Sequence, residues 1–167
     1  QVEQGKAFIK SIGAFDGWGG IIYTLTNLGV LWNQPELLTE AEELVKLLPP
    51  LIDRDRGLDI IAGSAGCILS LLSLYRCSPS KSTLAAAIAC GDRLIAEAQQ
   101  MPSGIGWLIP DPETNPEPKP LAGIGHGAAG IAAALLELAS LTGQERFRST
   151  ALEAITYERS LFLPEEG

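Results

Sequence analysis

Three stretches of this chain are almost free of charge, and three others mix apolar and charged positions at helical spacing. The uncharged stretches are Ile21–Leu28, Cys67–Tyr75 and Ile131–Leu141, interrupted only by Glu137. Helices without a polar stripe are buried nearly all round, so these three predict an inner set. Glu36–Leu48, Ser82–Gln100 and Gln144–Phe162 instead carry apolar residues at i, i+3, i+4 and i+7 among Glu, Lys and Arg, the period of a half-buried helix. In the last of these, Phe147, Ala151, Ala154, Ile155 and Leu161 predict a core face, while Glu145, Arg148, Glu158 and Arg159 are expected to face water. The order is buried helix, then amphipathic helix, three times over. An inner ring of apolar helices wrapped by an outer ring satisfies it.

Each inner helix follows a G-x-x-G element: Gly17-Trp18-Gly19-Gly20, Gly63-Ser64-Ala65-Gly66 and Gly127-Ala128-Ala129-Gly130. A fixed element before each of three similar helices marks an internal repeat. Missing side chains at a helix start leave backbone N–H groups open and let neighbouring helix ends crowd together. If the inner helices run the same way, these turns converge on one mouth. Enzymes and non-catalytic helical scaffolds both show such a pattern.

One connection breaks the regularity. Met101–Leu121 holds Pro102, Pro110, Pro112, Pro116, Pro118 and Pro120, which excludes a sustained helix. It runs straight into the third Gly-rich turn and is expected to form part of its rim.

Composition narrows the function classes. Of the 167 residues 46% are hydrophobic and 19% charged, in keeping with wide apolar helix faces and a single domain. The longest apolar runs fall well short of the ~20 residues that cross a bilayer, and no signal peptide opens the chain, so neither a transmembrane segment nor secretion is expected. Twelve basic against twenty acidic residues give a net charge of −8, the wrong sign for a nucleic acid partner. The three cysteines include no C-x-x-C pair. No disulfide framework is expected, and a reducing cytoplasm fits best. The chain opens at Gln1 and stops just past a strong helical pattern, so it reads as a piece of a longer polypeptide.

Few residues can carry chemistry. His126, the only histidine, lies in Gly125-His126-Gly127 at the start of the third inner helix. There it is poorly placed for packing and well placed to face a cavity as base or hydrogen-bond partner. Asp59 precedes Gly63 among Leu58, Ile60 and Ile61, where an unpaired charge is costly. Orienting His126, moving a proton and capping the second inner helix are all open roles for it. Asp16 stands in the first turn where His126 stands in the third, and an N-cap is the expected role. Trp18 and Trp107 are expected to pack or line a wall. Cys67, Cys77 and Cys90 read as small apolar residues whose spacing does not suggest a zinc site.

Together, Gly13-Ala14-Phe15-Asp16-Gly17-Trp18-Gly19-Gly20, Asp59-Ile60-Ile61-Ala62-Gly63-Ser64-Ala65-Gly66 and Gly125-His126-Gly127-Ala128-Ala129-Gly130-Ile131 resemble the lanthionine synthetase C-like cyclases. The stretch from Arg146-Phe147-Arg148 through Tyr157-Glu158-Arg159-Ser160-Leu161-Phe162 is similar to the bifunctional class II synthetases, in which a dehydratase domain precedes the cyclase. The resemblance implies an all-α fold, a double-layered α/α toroid of six hairpin repeats, of which about three are present. Residues 1–167 are then the N-terminal half of a truncated cyclase domain. It implies an enzyme that adds a peptide cysteine thiol to dehydroalanine or dehydrobutyrine, giving lanthionine or methyllanthionine thioethers. His126 matches the family's active-site histidine and Asp59 its active-site aspartate, with proton transfer and orientation as their implied work. The implied partners are a dehydrated precursor peptide, the rest of the cyclase domain and an N-terminal dehydratase domain.

The implied cofactor is zinc, which holds the substrate thiol as thiolate. Its family ligands lie in W-C-x-G and C-H-G motifs that do not occur here. They are expected beyond Gly167, no ligand is assigned in this chain, and the piece alone is expected to be inactive with exposed apolar edges. Among other toroids, a glycoside hydrolase needs paired carboxylates among aromatics, and a prenyl enzyme needs an aspartate-rich diphosphate site; neither pattern is found. The alternative is a non-catalytic toroid that binds peptide or serves as a scaffold.

Overall fold

The computed structural model describes residues 9–108 and 119–162. Pro110, Pro112, Pro116 and Pro118, and both chain ends, lie outside them. Seven helices occur among the described residues: α1 (Trp18–Leu31), α2 (Pro35–Val45), the one-turn α3 (Pro49–Ile52), α4 (Ser64–Cys77), α5 (Lys81–Glu97), α6 (Ala128–Thr142) and α7 (Glu145–Ser160). Two short strands, β1 (Gln99–Gln100) and β2 (Ile105–Gly106), pair antiparallel between α5 and α6. The fold is all-α, as the pattern predicts.

Three hairpins stand side by side: α1 with α2, α4 with α5, and α6 with α7. The inner helices touch in the order α1, α4, α6, while α2, α5 and α7 back them. The core fills the space between the two layers, where Ile22, Ile68, Leu71, Leu72, Leu94, Leu135, Leu138 and Phe147 are fully buried. Burying a Leu, Ile or Phe side chain is worth about 1.5–3 kcal/mol, so this interlayer core is the main source of stability. Glu137, the charge that interrupts the third apolar run, pairs with Arg76 across the α4–α6 contact.

The expectation of all-round burial holds for α4, which has neighbours on both flanks and α5 behind it. It fails for α1. Among the described residues that helix ends the row, and Tyr23, Val30 and Leu31 are exposed along with Trp32 after it. These are the apolar edges expected of an inner helix with one flank uncovered.

Several boundaries differ from the periodic reading. The inner helices begin inside the G-x-x-G elements, with Gly17, Gly63 and Gly127 as their N-caps. Pro49 and Pro50 end the second hairpin arm early and start α3, since proline is well tolerated in the first helical turn. Gln99 and Gln100 leave the predicted helix to join β1. The start of the proline-rich connection is packed rather than laid out on a rim. Ile105, Gly106 and Trp107 are buried, and the Trp107 indole donates to the Leu94 carbonyl at 2.8 Å.

In α7 the core face consists of Phe147, Ala151, Ala154 and Tyr157, while Leu161 is exposed. Glu158 also departs from its predicted water face, with a carboxylate oxygen buried against the segment before α6.

Candidate active site

Residues 13–17, 59–63 and 123–127 form the same turn three times, each running into an inner helix. The second glycine of each G-x-x-G lies against the carbonyl six residues earlier. A Cβ on Gly20 would come within 2.6 Å of the Ala14 oxygen, on Gly66 within 2.0 Å of Ile60, and on Gly130 within 2.0 Å of Ile124. Any side chain there would push the turn off its helix, which is why the element recurs.

The turns are stitched together by their backbones. Gly13 N–H donates to the Ala62 carbonyl, Ala14 N–H to Ile60 and Phe15 N–H to Ile61, joining the first turn to the second. Ile60 N–H donates to the Gly125 carbonyl at 3.2 Å, joining the second to the third. A continuous rim results, and it brings Asp59 and His126 together although they are far apart in sequence.

The His126 Nδ1 and Asp59 Oδ2 atoms are 2.6 Å apart. An ionised carboxylate can only accept, so Nδ1–H donates and Nε2 is left free for other partners. The Asp59 side chain is 3% exposed and that of His126 is 59% exposed. Asp59 Oδ1 accepts the Ala62 N–H at 2.8 Å, so both carboxylate oxygens are engaged. Of the three roles open to Asp59, the geometry is that of orienting the imidazole. It does not cap α4, whose N-cap is Gly63 with no side-chain bond.

The N-terminal capping chemistry falls to Asp55, which the sequence reading did not single out. Its Oδ2 accepts from the Ser64 N–H at 2.8 Å, the Ser64 hydroxyl at 2.6 Å and the Leu58 N–H at 3.3 Å, and its Oδ1 from the Gly57 N–H at 3.0 Å. Asp55 is buried. Its own carbonyl accepts two bonds from the Arg93 guanidinium on α5. Leu58, directly before Asp59, has φ +60, a region that a bulky residue enters only when its surroundings impose it. Asp55 grips the N–H on that residue. The Asp-x-Gly at Asp55-Arg56-Gly57 is a turn signal that could have pointed to it.

Asp16 is not an N-cap either. Gly17 caps α1, and the exposed Asp16 accepts from the Ser11 hydroxyl at 2.7 Å. An open groove of about 480 Å³ lies beside it, lined by Ala14, Phe15, Gly20, Ile21 and Thr24 among others. Trp18 and Trp107 are buried packing residues, as expected. Cys67 and Cys90 are buried between α4 and α5. The Cys90 thiol is pushed well above the ordinary range by a hydrogen bond with the Cys67 thiol and by burial. Cys77, at the far end of α4, is exposed rather than core.

Among the described residues no three His, Cys, Asp or Glu side chains group as metal donors. The buried thiols face the interlayer core, and one nitrogen of His126 is already committed to Asp59. These residues therefore do not fit a zinc site by themselves. No helix among the described residues is long and apolar enough to cross a membrane.

Two layers of helices, with a carboxylate–imidazole pair on the rim of the inner one, define an all-α domain of the toroid class. A family model described as lanthionine synthetase C-like protein matches residues 2–167, and the chain belongs to that family. None of the curated proteins matches the chain.

Proposed function

We propose that this chain supplies the proton-transfer side of a lanthionine-forming cyclase site, and that residues 1–167 are the N-terminal half of that domain. The substrate is a precursor peptide bearing cysteine and dehydroalanine or dehydrobutyrine. The observation that carries the reading is the 2.6 Å contact between His126 Nδ1 and Asp59 Oδ2, built across two turns of the rim in a member of this family. The similarity of Arg146–Phe162 to class II synthetases supports a dehydratase domain ahead of the cyclase.

The reaction forms one S–C bond at the β-carbon of the dehydro residue, and the thiol proton ends on the α-carbon. Nothing is oxidised or reduced. Asp59 fixes the ring with Nδ1–H towards itself, so that Nε2 can take the thiol proton or return one to the enolate. A positioned acid–base of this kind is worth roughly 10²–10⁴ in rate. Zinc, which would hold the peptide thiol as thiolate, would need donors from outside the described residues.

The test uses the natural-length protein and a synthetic peptide with one cysteine and one dehydroalanine. The expected result is loss of the peptide thiol at unchanged mass, abolished or greatly slowed in His126→Ala and slowed in Asp59→Asn. A folded protein that binds the peptide but never consumes its thiol would overturn the reading in favour of a peptide-binding scaffold.

A further inference from the structure

The third turn is the least secured part of the rim, and it carries the imidazole. In the first turn, backbone bonds to the second turn hold Gly13, Ala14 and Phe15. Asp55 holds both flanks of the second turn, Gly57 and Leu58 before it and Ser64 after it. In the third, Leu121, Ala122, Ile124 and His126 are all exposed, so packing does little to fix them. A Cβ on Gly123 would touch nothing within 4 Å, and that residue has φ +95, open to glycine and strained for any other.

Besides the Ile60 bond to the Gly125 carbonyl and the Asp59 contact with His126, the outer helix reaches this turn. Glu158 Oε1 accepts the Gly123 N–H at 2.7 Å, while the Gly123 carbonyl accepts from Gly130 N–H at 3.2 Å. One residue earlier on α7, the Tyr157 hydroxyl donates to the Pro120 carbonyl at 2.7 Å. Glu158 Oε2 is buried with no hydrogen-bond partner among the described residues. A half-satisfied buried carboxylate is a costly way to tie down a loop. Its advantage is a short, directional hold on one N–H.

We infer that Glu158 is a positioning residue for His126, acting through the Gly123 N–H to hold the third turn where the imidazole meets Asp59. It touches neither substrate nor the reacting atoms. The catalytic consequence rests on the proton-transfer reading of His126, whereas the structural consequence stands apart from it.

In proton–nitrogen NMR of the natural-length protein, the His126 ring signals are those that His126→Ala removes. In the unsubstituted chain the ring should show one tautomer, protonated at Nδ1, with that proton slow to exchange with water. Glu158→Ala should mix the tautomers and speed the exchange about tenfold or more, with the amide signals of α4 unmoved. Glu158→Asp keeps the charge but withdraws the carboxylate, and it should give a smaller change of the same kind. Glu158→Gln keeps an acceptor oxygen and should restore the original ring signals.

Folded Glu158→Ala and Glu158→Asp chains with unchanged His126 signals would overturn the inference. So would a Glu158→Gln chain as disturbed as Glu158→Ala. If Glu158→Ala does not fold, the Asp and Gln variants decide by the same criteria. In the peptide assay on the natural-length protein, Glu158→Ala should lower kcat about tenfold with KM little changed. A ring that shifts as expected in a protein that cyclises nothing would sink the cyclase reading and leave the positioning intact. A protein that cyclises while the ring is indifferent to Glu158 would do the reverse.

Discussion

The second and third turns share one backbone design and one site, yet they are built to opposite standards of rigidity. The residues of the second are buried or half-buried, and four bonds to Asp55 hold its flanks at Gly57, Leu58 and Ser64, with Leu58 at φ +60. The third exposes Ile124 and His126 and is held by polar contacts from Ile60, Asp59 and Glu158, with Tyr157 anchoring Pro120 just before it. The buried turn contributes the carboxylate, and the open turn contributes the imidazole. A charge acceptor must be fixed and dehydrated to orient its partner. A base must reach solvent and substrate to exchange its proton. Under the proposed proton transfer, this division of labour follows from what each group would have to do.

The largest blow to this contrast should come from Asp55→Ala. It would strand the Ser64, Leu58 and Gly57 N–H groups and release the strained Leu58, with an expected loss of about 3–4 kcal/mol in denaturant unfolding. Next come the matched glycines. Gly66→Ala and Gly130→Ala meet carbonyls at the same 2.0 Å, so geometry alone predicts equal damage. The Ile60 carbonyl belongs to the secured turn, where Gly66 also faces the Ala14 nitrogen at 2.6 Å. The Ile124 carbonyl belongs to the exposed turn, which can move away. Gly66→Ala should therefore cost about 3 kcal/mol and Gly130→Ala about 1 kcal/mol. Equal melting temperatures for the two variants would show that the third turn is as stiff as the second.

Much of the layering was legible in the sequence, because burial on all sides removes charge from a helix. The run before Tyr75 shows this in full, since α4 has neighbours on every side. The run before Leu28 misled for the same reason. It has the composition of an enclosed helix but an uncovered flank, and composition cannot say whether a neighbour is present. His126 and Asp59 were legible through their glycine-rich settings and the family resemblance. Their 2.6 Å contact was not, because it depends on turn-to-turn hydrogen bonds such as Ile60 to Gly125. Asp55 and Glu158 were passed over because their partners are mainly backbone N–H groups, which leave no side-chain signature. In Glu158 the helical period pointed to water. The α7 face that packs on the segment before α6 is wider than the apolar stripe implies.

Tyr157→Phe tests the second anchor of the open turn. It removes the bond to the Pro120 carbonyl and should cost about 1 kcal/mol. Burial, and then the Glu158 carboxylate, raise the Tyr157 hydroxyl above the ordinary tyrosine range. A proton held more tightly in the folded state stabilises fully below the unfolded value, near 10, and that stabilisation is lost as pH rises through the raised one. The unsubstituted chain should thus lose stability above about pH 10, and Tyr157→Phe should flatten that part of the curve. Identical alkaline unfolding in both would remove Tyr157 from the account of how the turn is held.

The smallest stability effect should come from the exposed member of the carboxylate–imidazole pair. His126 packs against little, and its removal lets water reach the Asp59 oxygen that it covers. Asp59 keeps its bond to the Ala62 N–H through the other oxygen, so the second turn has no reason to rearrange. His126→Ala should shift unfolding by no more than about 0.5 kcal/mol, as surface changes usually do, while abolishing or greatly slowing thiol consumption. The pairing of negligible stability loss with lost chemistry is what separates a functional imidazole from a structural one. Were His126→Ala instead to cost as much as Tyr157→Phe, the contact with Asp59 would be a brace between turns, and the open turn would owe its position to the dyad rather than to α7.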